Sequence, residues 1–250
     1  MTTKENNMAQ RGKNYRAASE LIDREKLYGP EEAVQLLKQT AEKTAKFDQT
    51  IEVHARLGID PRHADQQIRS TATLPAGTGK VVRILVFAQG DAARNAEEAG
   101  ADFVGADDLI RQIEGEWMEF DVAMATPDMM GKVGRLGRIL GRRGLMPNPR
   151  SGTIVQGPDL ARAIEEVRKG KVEFRNDRTG LLHVPIGKTS FSEEKIRENL
   201  AALVDAVQRN KPTGAKGIYV RSMTLTSTMG PGIPLEVSST LALASQAHAS

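Results

Sequence analysis

Three segments combine glycine with lysine in the manner of phosphate-cradling loops: Gly77-Thr78-Gly79-Lys80, Gly187-Lys188-Thr189 and Gly131-Lys132-Val133-Gly134-Arg135-Leu136-Gly137. A nucleotide-gripping loop needs a glycine five residues before the Gly-Lys pair and a hydroxyl after it, so that backbone wraps the phosphates and the hydroxyl reaches magnesium. Leu74 holds the first position and Val81 the last around the first segment, and Leu182 holds the first position before the second. The third has the wrong glycine spacing for a dinucleotide fingerprint and does not follow the first strand of an α/β unit. Hydrolytic and acid–base chemistry find no better footing. The chain has no cysteine, no HExxH and no GxSxG, and its four histidines (His54, His63, His183, His248) are scattered. His54 stands between Glu52 and Arg56 on the wet face of a strand pattern, where a solvated histidine is the common case. No catalytic residue, metal or cofactor is expected.

Two polar segments are better suited to contact than to catalysis. Lys46-Phe47-Asp48-Gln49-Thr50 opens one strand pattern, and Ser227-Thr228-Met229-Gly230-Pro231-Gly232 closes another. Folded RNA is recognised through shape, 2′-hydroxyls and unstacked bases. Here Thr50, Ser227 and Thr228 offer hydroxyls, Gly230 close backbone approach, and Phe47 and Met229 flat or soft apolar contacts, while Lys46, Lys211, Lys216 and Arg221 would neutralise phosphates. The same residue types also fit a plainer arrangement, with Phe47 in the core and Met-Gly-Pro-Gly as a strand-ending turn. The net charge of +3 conceals strong segregation. Between 84 and 128 eleven acids face only Arg94 and Arg111; between 131 and 150 Lys132, Arg135, Arg138, Arg142, Arg143 and Arg150 face no acid at all; 206–235 is likewise basic and acid-free. Segregated basic surface binds polyanions despite a near-neutral total.

These segments need elements to position them. Residues 1–15 are polar and read as a mobile start without a signal-peptide core. A helix is expected over 31–43 behind Gly29-Pro30, a half-buried strand over 47–57, and another over 68–74 that ends in Pro75-Ala76-Gly77. From 80 the texture becomes strand (81–87), helix (92–99), strand (103–104), helix (107–113), strand (122–125), the signature of a parallel α/β sheet. Asp159 would cap a helix ending at Lys169-Gly170. The segments 171–175 and 181–184 flank a hairpin-type connection; Ser190 with Glu193 would form a capping box for a helix over 192–208. A last strand covers 217–228, and 236–250 reads as a disordered tail. The first and last thirds are each too small for a good core. The fold class is therefore α/β plus α+β: residues 1–75 with 157–235 form one discontinuous α+β domain, into which an α/β domain, 76–156, is inserted on a two-stranded hinge.

Gly12-Lys13, Tyr15-Arg16, Lys46-Phe47-Asp48, Glu52-Val53-His54, Leu57-Gly58-Ile59-Asp60-Pro61, Arg143-Gly144-Leu145-Met146-Pro147, Phe174-Arg175-Asn176-Asp177 and Thr228-Met229-Gly230-Pro231 together resemble the bacterial ribosomal protein L-one family over nearly the whole chain. The resemblance implies a split β-α-β, ferredoxin-like RNA-binding domain and a Rossmann-like three-layer insert. It implies a monomer when free, a cytoplasmic place in the large ribosomal subunit and no enzymatic activity. Its partners would be 23S rRNA at the mobile stalk, exit-site tRNA whose release it assists, and its own operon mRNA, which it represses. The family's RNA contacts fall on Phe47, Thr228, Met229 and Gly230, with Lys46, Thr50, Ser227 and Pro231 beside them. Lys132, Arg135, Arg138, Arg142 and Arg143 would form a second basic surface, unless their glycines merely pack helix ends and the arginines are solvated. Two other readings compete: an enzyme with a ligand at the ends of the parallel strands, and a free mRNA-binding regulator.

Overall fold

The computed structural model describes residues 12–246. Helix α1 (Lys13–Ser19) precedes α2 (Pro30–Thr44), whose start follows from Gly29 at the cap, Pro30 with its missing N–H at the first position, and Glu31 and Glu32 facing the helix dipole. Strand β1 (Thr50–Leu57) buries Ile51, Val53, Ala55 and Leu57 in strict alternation. β2 (Arg69–Thr73) follows. Then come β3 (Ile84–Phe87), α3 (Asp91–Glu98), β4 (Phe103–Gly105), α4 (Asp107–Glu114), β5 (Val122–Ala125), α5 (Met130–Val133), α6 (Gly137–Arg142) and α7 (Leu160–Arg168). The chain closes with β6 (Lys171–Arg175), β7 (Leu181–Lys188), α8 (Glu193–Arg209), β8 (Val220–Ser227), β9 (Ile233–Leu235) and α9 (Val237–Gln246).

The largest sheet has the order β7-β1-β8-β9, every neighbouring pair antiparallel. Helix α8 carries the chain from β7 to β8 on either side of β1, so those two strands are parallel and β1 splits them. One face of this sheet buries Val53, Val184 and Leu225 against Leu37 of α2 and Leu200, Leu203 and Val204 of α8. Its other face is open. The second sheet, β4-β3-β5, is parallel. Leu85, Phe87, Ala123 and Ala125 face α4, α5 and α6, whereas Ile84, Val86 and Met124 face α3 and α7, so consecutive residues of one strand feed two separate cores. This is a three-layer α/β arrangement, and the chain as a whole is a mixed α/β protein.

Several expectations are corrected. Residues 13–15 belong to α1; residues 1–11 lie outside the described residues. The first parallel strand begins at Ile84 rather than 81, since Val81 is 91% exposed and Arg83 gives its backbone N–H to the Asp121 carboxylate at 3.1 Å. β6 and β7 are not a hairpin: β6 pairs with β2 and β7 with β1. Asn176 accepts the Ile68 N–H at 2.6 Å, while Asp177 accepts those of Thr179 and Leu181 at 2.8 Å each, and this loop turns the chain from one sheet into the other. The cap of α8 is Ser192, accepting from the Lys195 N–H; Ser190 instead donates to Asp48. Asp159 precedes α7 without a side-chain cap bond. Residues 237–246 are helical, not a disordered tail, with Ala244 buried in the antiparallel core; residues 247–250 lie outside the described residues.

Leu160, Ile164 and Val167 sit in the core of the parallel sheet, and the chain leaves that sheet at Gly170 for β6, which pairs with β2. There the two crossings meet. The Leu74 N–H donates to the Gly170 carbonyl at 3.0 Å, and fully buried Asn199 holds the first crossing by accepting the Ala76 N–H at 3.0 Å and donating to the Gly77 carbonyl at 2.9 Å. Gly170 has φ +109°, and a Cβ there would lie 2.6 Å from the Gly77 Cα. Gly170→Ala is therefore expected to lower stability by roughly 2 kcal/mol or more, read as a reduced urea midpoint; a parent-like midpoint would show that the crossings are not tightly packed.

Candidate nucleic-acid interface

The two polar segments meet at one end of the antiparallel sheet. The Thr228 N–H donates to the Thr50 carbonyl at 3.0 Å, and the Thr228 hydroxyl accepts the Thr50 N–H at 3.1 Å. Gln49 secures the junction from beneath. Only 1% exposed, it accepts the Met229 N–H at 2.9 Å and donates to the Ala41 carbonyl of α2 at 2.8 Å. Asp48 ties in the next turn: it accepts from the Thr189 hydroxyl, the Ser190 N–H and the Ser190 hydroxyl, all at 2.9 Å. Burial alone would raise the Asp48 pKa, but the Ser190 and Thr189 bonds and the Lys188 charge outweigh it and leave the carboxyl below its ordinary range. With both chain segments pinned by their backbones, Phe47 and Met229 stand out at 55% and 53% exposure. Both side chains therefore belong to the surface of this corner rather than to the core.

Not every expected residue reaches this surface. Ser227 and Pro231 are buried. Ser227 shares the inward side of β8 with Met223 and Leu225, and its hydroxyl finds no partner. A Cβ on Gly230 would lie 2.4 Å from that hydroxyl oxygen, so a side chain there would force the Ser227 hydroxyl to turn aside. Lys46 is exposed beside Phe47, as expected. Lys211, Lys216 and Arg221 are also exposed but lie toward the far end of β8: Arg221 is six residues from Ser227, about 20 Å along a strand at ~3.3 Å per residue. Lys188, passed over as part of a failed phosphate loop, pairs in register with Thr50 and donates to its hydroxyl at 2.9 Å. Its place was hidden because only strand pairing reveals it.

From this corner the open face of the sheet runs across Glu52, His54 and Arg56 of β1, opposite Thr226, Thr224 and Ser222 of β8. His54 is more than a solvated histidine: its Nδ1 lies 2.7 Å from Nδ1 of His183, so one ring donates to the other. Burial, then the neighbouring His183, lowers the His54 pKa against the opposing pull of Glu52.

The second basic surface occupies α5, α6 and the turn between them. Lys132 is drawn into an ion pair with Asp107 at 2.8 Å, and this hydrogen bond depresses the Asp107 pKa. Arg135, Arg138, Arg142 and Arg143 are exposed, and among the described residues none has an acid within 4.0 Å. The glycines between them do not pack helix ends, since a Cβ at Gly131, Gly134, Gly137 or Gly141 would meet nothing within 4 Å.

A family model described as the ribosomal protein L1p/L10e family matches residues 37–231. The chain is 62% identical over 231 residues to the large ribosomal subunit protein uL1 of Chloroflexus aggregans, covering 92% of this chain and 97% of that protein. It is 58% identical over 240 residues to the protein of the same name from Thermomicrobium roseum, covering 96% and 99%. A frame that presents Phe47 and Met229 with no catalytic group beside them thus has relatives along almost its entire length, and the chain belongs to the ribosomal protein L1p/L10e family, whose members are structural rather than enzymatic.

Proposed function

We propose that this protein is a component of the large ribosomal subunit that binds 23S rRNA through the corner formed by Lys46, Phe47, Thr50, Lys188, Thr228, Met229 and Gly230. The observation that carries the reading is the pair of half-exposed apolar side chains, Phe47 and Met229, on a backbone frame closed by Gln49, Thr50 and Thr228. Apolar faces for unstacked bases, flanked by hydroxyls and lysines, are what folded single-stranded RNA requires. Lys211, Lys216 and Arg221 serve RNA that extends across the sheet.

The antiparallel part, built from residues up to Leu74 and from Lys171 onward, acts as the discontinuous RNA-binding domain. The parallel part between them acts as an insert carried on the crossings at Ala76–Gly79 and Gly170. Its arginine-bearing surface, Arg135, Arg138, Arg142 and Arg143, faces other RNA, including exit-site tRNA during release from the stalk. Repression of the protein's own operon would use the same corner on a similar mRNA structure, because both RNAs compete for one surface.

Filter binding to a 23S stalk-junction fragment tests the main claim. Phe47→Ala and Met229→Ala should each cost about 1–3 kcal/mol of binding with the salt slope unchanged, while Lys46→Ala should flatten the slope by about one. Parent-like binding by both apolar variants would place the RNA elsewhere. The frame has its own test: Gln49→Leu leaves the Met229 N–H without its partner and should cost roughly 1–3 kcal/mol of stability in urea. The histidine pair predicts a pH effect. With His54 depressed below 6.5 in the folded chain, the unfolded chain takes up the proton first, so stability falls as pH drops through about 6.5. His54→Gln should flatten that dependence in urea titrations between about pH 7.5 and 5; an unchanged dependence would show that His54 is not its source.

A further inference from the structure

We infer that the cleft between the antiparallel and parallel parts is a second phosphate-binding site, taking the backbone of the same RNA molecule that the Phe47–Met229 corner grips. The inference rests on the RNA-binding reading above and extends it to a surface made by both parts together. The cleft encloses about 1200 Å³. Arg150 and Asn148 line it from the parallel part, and Arg69, Arg175, Arg178 and His183 from the antiparallel part. Small-ligand pockets are mostly apolar and hold about 300–1,000 Å³, so a larger and polar cleft suits a stretch of polymer better.

Its charge is unbalanced once internal pairs are removed. Glu173 is engaged by Arg69 at 2.5 Å. Asp177 accepts from the N–H groups of Leu181 and Thr179 and from the Thr179 hydroxyl, which hold it ionised below its ordinary pKa, and it lies 4.0 Å from His183; the lining thus sets Arg69, Arg150, Arg175 and Arg178 against Glu173 and Asp177. Arg150, Arg175 and Arg178 are left exposed, and among the described residues none has an acid within 4.0 Å. Cations therefore outnumber acids in the lining even with Asp177 ionised, and the planar guanidinium matches phosphate oxygens two at a time.

Position ties the cleft to the corner. His183 lines the cleft and also touches His54 in the middle of the open sheet face. From Thr50 to Arg56, β1 spans six steps, about 20 Å at ~3.3 Å each, between the corner and the cleft side of the sheet. RNA laid along the face would therefore reach Arg178 and then Arg150, which stands across the cleft in the parallel part. Such RNA bridges both crossings and holds the two parts in one arrangement.

The test uses the full chain and the 23S stalk-junction fragment. Arg150→Gln combined with Arg178→Gln should weaken binding roughly tenfold at about 0.15 M salt and flatten the salt slope by about two, whereas Met229→Ala weakens binding without changing the slope. Both substituted arginines are exposed, and an unchanged urea midpoint confirms that the fold is intact. The chain has no cysteine, so spin labels at Glu42→Cys and Glu97→Cys report the distance between the two parts without background. RNA should narrow that distance distribution in the parent and leave it broad in the double arginine variant. A double variant with parental affinity, slope and narrowing, alongside a weakened Met229→Ala, would overturn the cleft site and leave the corner standing. Parental binding by Met229→Ala as well would overturn the corner, and the cleft inference with it.

Discussion

The buried side-chain amide of Gln49 is the interaction on which the rest of the site depends. It reaches the end of α2 through Ala41, the start of β1 through its own backbone, and the turn after β8 through the Met229 N–H. Residues 180 apart in sequence thus share one hydrogen-bonding group with no access to water. In such surroundings an unmade bond costs the full desolvation of its partner, so the amide specifies one arrangement of the three elements. Thr50 and Thr228 close the same junction at the surface. Phe47 and Met229 are then held outward by geometry, without needing apolar neighbours to fix them.

Charge is organised around that frame rather than around a catalytic centre. The acids of the parallel part are mostly exposed or used locally: Asp107 neutralises Lys132, and Asp121 holds Lys80 and Arg83 beside the first crossing. The open face of the antiparallel sheet carries hydroxyls and a histidine pair, with lysines or arginines at both ends. A net charge of +3 therefore sums unlike surfaces, basic and hydroxyl-bearing in places and acidic in others.

Much of this was legible in the residues. Helix α2, strands β1 and β5 and the alternating texture of the parallel sheet follow from periodicity and from Gly29-Pro30, because local pattern and tertiary packing agree there. Residue types alone left Phe47 open between core and surface and Met229 open between a strand-ending turn and a contact, and only the fold shows both exposed. What was not legible depends on pairing across long sequence separations. Lys188 acquires its role only through register with Thr50, β6 and β7 look like a hairpin until their partners are known, and α7 declares its core only through contact with Met124 and Ile84. The burial of Ser227 was hidden for a related reason: only the strand's phase shows that its hydroxyl faces inward with Met223 and Leu225.

The central claim is that Phe47 and Met229, rather than the other exposed apolar side chains, are covered by RNA. Oxidative footprinting of the full chain with and without the 23S stalk-junction fragment tests it without altering a residue. Phe47 and Met229 should lose reactivity when RNA is added, while Leu27 and Val81, at 62% and 91% exposure, should keep theirs. Equal reactivity of Phe47 and Met229 in the free and RNA-bound protein would contradict the account.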